Sequence, residues 1–368
     1  MNDYNTLYDE FGPEKIIHIY DPQVELKAVL VVDNVAVGPS IGGIRMVPDI
    51  SVEECFRLAR AMTFKNSAAG LPHGGGKSMI AGDPAMPLNK KETLLRAFAR
   101  AIADIKDYIP GPDMGTNEIC MAWIRDEIGR SVGLPKDIGG IPLDKIGATA
   151  FGLRAALDVA KDYANISLAG AKVVIQGFGS VGKHSARFLS ERSSLVVAVS
   201  DSKGAIYNPE GLDVEELIKV KENSGKVTDY QNGQVIDGDS LISVDCDIWI
   251  PAARPDVIHK ENMIDLKAKI VAPGANIPMP LELEEVFYKK GIMVLPDFIV
   301  NAGGVICAAV EYAGGTMKGA LETIEERVSQ NTKEVLESSR VNKISPHEAA
   351  MNIVRERVLN AMSFRRKC

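Results

Sequence analysis

Two lysines and one aspartate carry the chemistry this sequence can do. Lys65 falls at helical spacing from Cys55, Leu58 and Met62, on what reads as the inward face of a helix. A buried ammonium is costly without an anion. Lys65 therefore either meets one, such as a substrate carboxylate, or snorkels its head to the surface. Twelve residues on comes Gly74-Gly75-Gly76-Lys77. Three glycines strip side chains from the approach to the lysine and read as a loop in which a small ligand touches backbone. Desolvation would lower the pKa of that amine and make it a general base near neutral pH. Asp113 lies in Pro110-Gly111-Pro112-Asp113-Met114-Gly115-Thr116, a rigid turn that holds one carboxylate. It becomes chemically useful if it faces Lys77. Gly76-Lys77-Ser78 ends like a phosphate-binding P-loop. That motif needs glycine where this chain has Leu71, and a strand where a helix precedes.

A second constellation is Val173-Val174-Ile175-Gln176-Gly177-Phe178-Gly179-Ser180-Val181-Gly182, a β-branched strand running into G-x-G-x-x-G and then a helix. Gly177 permits the tight turn, Gly179 lets backbone approach a pyrophosphate, and Gly182 lets helix and strand pack closely. The helix opening at Ser180 and Val181 offers bare N–H groups to phosphate. The next strand ends at Asp201, nineteen residues past Gly182. A carboxylate there would accept ribose hydroxyls and repel a 2′-phosphate. This favours NAD over NADP, although Ser200, Ser202 and Lys203 are able to hold a phosphate.

The elements that must position these groups fall into two rhythms. The first section has a strand-like run at Leu26–Val37, a helix opened by the capping box Ser51-Val52-Glu53-Glu54, and a helix over Lys91–Ile105. From near Gly147 to about residue 300, strands alternate with helices, as in a parallel, doubly wound sheet. A charged helical pattern then runs to the end. With 368 residues the chain suits two α/β domains. The expected boundaries are 1–142 for a substrate-binding domain, 143–330 for a Rossmann-type dinucleotide domain across a cleft, and 331–368 for helices packing back towards the first. Net charge is −7, with 46% apolar and 25% charged residues, which argues against a nucleic-acid partner. The five cysteines are scattered without CxxC pairing or metal-ligand spacing, so reduced thiols and no metal are expected. The start lacks the pattern of a leader, and no apolar run approaches the roughly 20 residues of a membrane span. A cytoplasmic protein is the expectation.

Taken together these blocks resemble the glutamate/leucine/phenylalanine/valine dehydrogenase superfamily. The resemblance rests on Gly42-Gly43-Ile44-Arg45, Met62-Thr63-Phe64-Lys65-Asn66, Leu71 through Lys77, Pro112 through Thr116, the Gly177 fingerprint, Gly274-Ala275-Asn276 and Asn301-Ala302-Gly303-Gly304-Val305, in the family's order and spacing. It implies an NAD(P)-dependent amino-acid dehydrogenase that interconverts an L-amino acid with its 2-oxo acid and ammonia, and that forms homo-oligomers. In that resemblance Lys65 binds the α-carboxylate, with Gly42 beside it. Lys77 activates water, and Asp113 relays protons to and from the amino nitrogen. Thr149, Asn276 and Asn301 position nicotinamide and substrate. A nucleotide-sensing protein of the same fold would be expected to lose Lys77 or Asp113, and both are present. No histidine sits in a matching block; His73, close to Lys77, reads as packing or loop chemistry.

The resemblance also bears on the side chain. Glutamate specialists of the family carry lysine where this chain has Ile41, and serine where it has Ala308. Val305 and Ala308, spaced i, i+3, present one helix face. Ile41, Val305 and Ala308 therefore imply an apolar pocket for a leucine-, valine- or phenylalanine-like substrate. The alternative is glutamate, because Val199 through Gly204 and Gly274-Ala275-Asn276 resemble the glutamate branch more closely.

Overall fold

The computed structural model describes residues 7–365. The chain divides into two compact units. One comprises the described residues up to Leu143, with Val305–Ala320 and those from Ile353 on. The other comprises Asp144–Gly304 and Leu321–Asn352.

The first unit contains β1 (Lys15–Asp21), β2 (Leu26–Asn34), β3 (Ser40–Val47), α1 (Val52–Ala68), β4 (Gly74–Ala81), α2 (Leu88–Ala101), β5 (Tyr108–Pro112) and α3 (Glu118–Ile128). Its strands form one mixed sheet in the order β1-β2-β4-β3-β5. β4 runs antiparallel to β2 and parallel to β3. Alternation along β2 splits the core in two. Leu26, Ala28, Leu30 and Val32 join Ile44, Met46, Ile80, Phe98 and Tyr108 on one face. Val29 and Val31 join Met79 and the α1 residues Cys55 and Ala59 on the other. Pro110 is tolerated in β5 because that strand lies on the sheet edge.

Two expectations are corrected here. The glycine run is not a loop: Gly74, Gly75 and Gly76 open β4, the central strand, and all three are buried. Close approach explains them. A Cβ on Gly75 would lie 2.0 Å from the Thr63 nitrogen, and one on Gly74 would lie 1.8 Å from the Asn34 carbonyl oxygen. The strand needs backbone with nothing on it so that α1 can lie directly against the sheet. The buried stripe of α1 is accordingly rotated from the expected one. It runs through Val52, Cys55, Ala59, Thr63 and Asn66, small and polar residues suited to tight contact. Leu58, Met62 and Lys65 are only half-buried. Ser51 caps α1 as expected, accepting from the Glu54 N–H.

The second unit contains α4 (Ala148–Tyr163), β6 (Lys172–Gln176), α5 (Ser180–Ser190), β7 (Leu195–Asp201), β8 (Gly204–Tyr207), α6 (Val214–Ser224), β9 (Gln234–Ile236), β10 (Ile248–Pro251), β11 (Ile270–Val271), α7 (Leu281–Lys289), β12 (Met293–Val294) and α8 (Asp297–Val300). The sheet order is β12-β11-β10-β6-β7-β8-β9. The strands from β12 to β7 are parallel, the expected doubly wound arrangement. β8 and the edge strand β9 are antiparallel and escape the sequence pattern, being short and, in β9, largely exposed. Three further helices are α9 (Gly303–Tyr312), α10 (Met317–Asn342) and α11 (Pro346–Ser363). No helix among the described residues is long and apolar enough to cross a membrane.

Candidate active site

The α1 face of the first sheet gathers the reactive groups. Side chains alternate along β3, so Ile44 and Met46 point to the α2 side while Gly43 and Arg45 point to the α1 side. Lys77, two residues before Met79 on β4, shares that side. Its Nζ lies 2.7 Å from Asp113 Oδ2. Gly43 makes the pairing possible, since a Cβ there would stand 2.7 Å from Asp113 Cβ and 3.2 Å from Lys77 Nζ. A third charge completes the cluster. Arg45 Nε donates to the same Asp113 oxygen at 2.9 Å, and its Nη1 donates to Glu54 Oε1 of α1 at 2.8 Å.

Burial decides the electrostatics. Lys77 is 5% exposed, and loss of water lowers its pKa against the pull of Asp113, with Arg45 adding to the fall. Burial pushes Asp113 up, but the Lys77 ammonium and the Arg45 guanidinium outweigh it and hold the carboxyl below its usual range. The pair is thus an amine poised to lose its proton beside a carboxylate that stays ionised.

The supports of this pair are mostly non-local, and sequence reasoning gave none of them a role, although Thr116 and Asn66 stand in the family blocks. Thr116 Oγ1 accepts the Asp113 N–H at 3.0 Å and donates to the Ile44 carbonyl at 2.8 Å, tying the aspartate turn to β3. The fully buried Tyr108 hydroxyl donates to the Gly42 carbonyl at 2.9 Å. Its single proton is spent there, so Ser78 Oγ, 3.0 Å away, must donate to it. The Asn66 amide, buried on α1, donates to the Gly74 carbonyl at 2.7 Å. Glu311 of α9 accepts the N–H groups of Gly133, Leu134 and Ile141 at 2.7, 3.1 and 2.7 Å. It thereby braces the segment whose Val132 N–H bonds the Pro110 carbonyl. The available signals were weak: a tyrosine in an edge strand, an asparagine on a helix and a lone glutamate in an apolar helix.

Of the other expected residues, Lys65 stands half-buried on α1. Ile41 is buried on β3, and its carbonyl lies 3.4 Å from the Asn66 amide. Gly42 meets β4 so closely that a Cβ would fall 1.6 Å from the Gly76 oxygen. Val305 and Ala308 are half-buried on α9. His73 is buried, with Nδ1 3.1 Å from the Pro39 carbonyl and its ring edge-on to Tyr312; burial lowers its pKa, so it acts as a neutral packing group.

In the second unit the glycine turn suits a dinucleotide. Gly177 takes φ +97°, and a Cβ on Gly182 would sit 1.9 Å from the Gly177 oxygen, whereas one on Gly179 would meet nothing within 4 Å. Backbone at Gly179 is therefore open, and α5 starts there with no side chain capping its N–H groups, which leaves them to an anion. Ser180 Oγ donates to the Asp144 carbonyl, and Val181 packs where a Gly274 Cβ would be. Asn301 Nδ2 donates to Asn276 Oδ1 at 2.9 Å, and Thr149 lies against Gly303 and Gly304.

Asp201 departs from its expected part. Its side chain is 6% exposed; Oδ1 accepts the Lys203 N–H at 2.7 Å, and Oδ2 takes Lys221 Nζ at 2.6 Å and the Val227 N–H at 2.8 Å. The carboxylate is spent on the protein and neutralised by α6, so it presents no bare charge against a 2′-phosphate. Asp201 therefore does not favour NAD over NADP.

Comparison with known proteins places these features. The Glutamate/Leucine/Phenylalanine/Valine dehydrogenase family model matches residues 139–366, and that of the Glu/Leu/Phe/Val dehydrogenase dimerisation domain matches residues 13–130. Glutamate dehydrogenase of Aeropyrum pernix is 38% identical over 355 residues, covering 90% of this chain and 85% of its own. Glutamate dehydrogenase of Thermotoga maritima is 42% identical over 293 residues, covering 76% and 70%. The solved hetero-hexameric glutamate dehydrogenase of Thermus thermophilus, in its Leu-bound form, aligns with TM-score 0.85 and 26% identity, covering 97% of this chain and 91% of its own. These relatives overturn the expectation of an apolar substrate. That expectation treated the absence of a cation at Ile41 and a hydroxyl at Ala308 as the absence of any partner for a side-chain carboxylate, and two positions do not define a pocket. Both domain models match in order and the fingerprint and lysine blocks sit on the elements described: the chain belongs to the Glutamate/Leucine/Phenylalanine/Valine dehydrogenase family and is a two-domain amino-acid dehydrogenase, with an N-terminal dimerisation domain followed by a nucleotide-binding domain.

Proposed function

We propose that this enzyme catalyses the reversible oxidative deamination of L-glutamate to 2-oxoglutarate and ammonia, with NAD or NADP as cofactor. The observation that carries the chemistry is the contact between Lys77 Nζ and Asp113 Oδ2 at 2.7 Å, on a sheet face where the lysine has lost its water. The names of the relatives support glutamate.

In this reading Lys65 holds the substrate α-carboxylate. Asp113 takes a proton from the substrate ammonium, leaving a free amine. The dinucleotide, when bound over Gly177, Gly179, Ser180, Val181 and Gly182, supplies the two-electron oxidation, with Thr149, Asn276 and Asn301 placing its reactive end. Lys77, as a free amine, then takes a proton from the water that adds to the iminium carbon. Asp113 returns its proton to the nitrogen, the carbinolamine collapses to the 2-oxo acid, and the hydroxyl proton leaves with the ammonia as ammonium, while Lys77 gives its proton to solvent. A lowered pKa suits Lys77 to take the proton from water, and ionisation suits Asp113 to take the proton from the substrate ammonium. Ile41, Val305 and Ala308 serve the methylenes of glutamate, whose γ-carboxylate finds its partners elsewhere. Either cofactor is admitted because Lys221 has neutralised Asp201. Residues 1–142 then bind substrate and assemble homo-oligomers, 143–330 bind the dinucleotide, and the enzyme works in the cytoplasm.

The test is a panel of L-amino acids with NAD and with NADP, read by absorbance of the reduced nicotinamide. Glutamate is expected to give the highest kcat/KM; a tenfold preference for leucine, valine or phenylalanine would overturn the proposal.

A further inference from the structure

The three-charge cluster is asymmetric. Lys77 Nζ and Arg45 Nε both approach Oδ2 of Asp113, at 2.7 and 2.9 Å, while Oδ1 takes no hydrogen bond from any described residue. Arg45 is itself fixed at a second point, 2.8 Å from Glu54 at the start of α1. A guanidinium is a planar fork that retains its charge at all working pH values. With one donor on Glu54 and one on Asp113, it fixes the carboxylate plane as a point charge would not.

We infer that Arg45 is a positioning residue for proton transfer: it clamps Oδ2 of Asp113 and so leaves Oδ1 as the oxygen that exchanges protons with the substrate nitrogen. The inference rests on the role proposed for Asp113 and deepens it. The step balances without a further reagent, because Oδ1 gains one proton from the substrate ammonium and later returns one to the departing nitrogen. The clamp also sets the charge state. Among the described residues the groups facing Asp113 and Lys77 are Arg45 on β3, Cys55 on α1 and Tyr108 on β5, with Glu54 of α1 behind Arg45. Of these only Arg45 is a permanent cation. Its field holds the proton off both members of the pair, lowering Asp113 and lowering Lys77.

Removing the cation must therefore raise both pKa values. Arg45→Gln is expected to move the acid limb of the kcat/KM–pH profile upward by about one unit, which is about a tenfold loss of kcat/KM on that limb. Plateau kcat should fall about tenfold, with KM for the amino acid changed less than about threefold. Arg45→Lys restores the charge without the fork, so its limb should return to the wild-type position while plateau kcat stays several-fold down. Circular dichroism and melting first establish that each variant is folded. If the glutamine variant does not fold, the lysine variant alone decides. A limb unmoved in Arg45→Gln, or wild-type plateau kcat in Arg45→Lys, overturns the clamp. Asp113→Asn separates the two levels. If it keeps more than about a tenth of wild-type turnover, the proton-transfer role of Asp113 itself fails. If it is inactive while Arg45→Gln leaves the limb in place, only the clamp fails.

Discussion

The two ligand-facing regions of this protein are built in opposite ways. On the first sheet, side-chain charges do the work and the glycines clear space for them: Gly43 for the meeting of Lys77 with Asp113, Gly75 for the contact of α1 with β4. In the nucleotide-binding unit Gly179 leaves open backbone as the proposed ligand surface, and the donors offered are bare backbone N–H groups at the start of α5. The same residue type is scaffolding in one region and binding surface in the other. Loss of Gly75 should therefore cost stability, and loss of Gly179 affinity.

The largest effect expected is on chemistry alone. Lys77→Met should lower turnover about a thousandfold or more while leaving dinucleotide binding, followed by fluorescence of the reduced nicotinamide, within about twofold of wild type. Loss of binding as well would dissolve the separation between the regions. Next come the two glycines. Gly75→Ala places a methyl 2.0 Å from the Thr63 nitrogen and 2.5 Å from the Ala59 oxygen, both backbone atoms, and should cost about 3 kcal/mol of stability in urea unfolding. Gly179→Ala meets open space and should change stability by less than about 0.5 kcal/mol, yet weaken dinucleotide binding about tenfold by standing where phosphate must approach. Equal melting behaviour in the two variants would erase the contrast.

A smaller shift is expected from Lys221→Ala, which leaves the Asp201 carboxylate without its cation. Binding titrations should then show NADP losing about tenfold relative to NAD. An unchanged ratio would mean that the Asp201–Lys221 pair has no part in cofactor choice. The smallest effect concerns His347 of α11, whose Nδ1 lies 3.0 Å from Glu284 of α7. Burial lowers its pKa, but the carboxylate outweighs burial and leaves it raised from 6.5. A raised folded-state pKa contributes stability that is fully present below 6.5 and is lost as pH rises through the folded value. Melting temperatures of the wild type should fall across that range. His347→Gln should flatten the fall, and an undiminished slope would assign it to other groups.

How much of this was legible in the sequence follows from the same contrast. The dinucleotide turn could be read because its determinants are contiguous, from Val173 to Gly182. Lys77 and Asp113 could each be flagged, and their order and spacing carried the family. Yet β4 read as a loop, since glycine has little strand propensity and its value here lies in what touches it. Arg45, Tyr108 and Glu311 act across tens to hundreds of residues of chain, and although Arg45 and Asn66 stand in the family blocks, nothing local says what their side chains hold. Asp201 had the right type and offset, but its neutralisation by Lys221 depends on where α6 lies. The substrate misled for a related reason: Ile41 and Ala308 are two positions far apart in the chain, and they do not define a pocket.

The glycines of β4 have one more consequence, for assembly of the chain. Without side chains they cannot choose their own register, and a slip by one residue would turn Lys77 to the opposite face. The register must come from outside the run: from Met79 and Ile80 entering opposite cores, and from the grip of Asn66 on the Gly74 carbonyl. The amine and the carboxylate thus come together only after β2, β3, β4, β5 and α1 have docked. During refolding, recovery of turnover should trail recovery of helical signal, so catalysis reports the last tertiary contacts formed rather than the first.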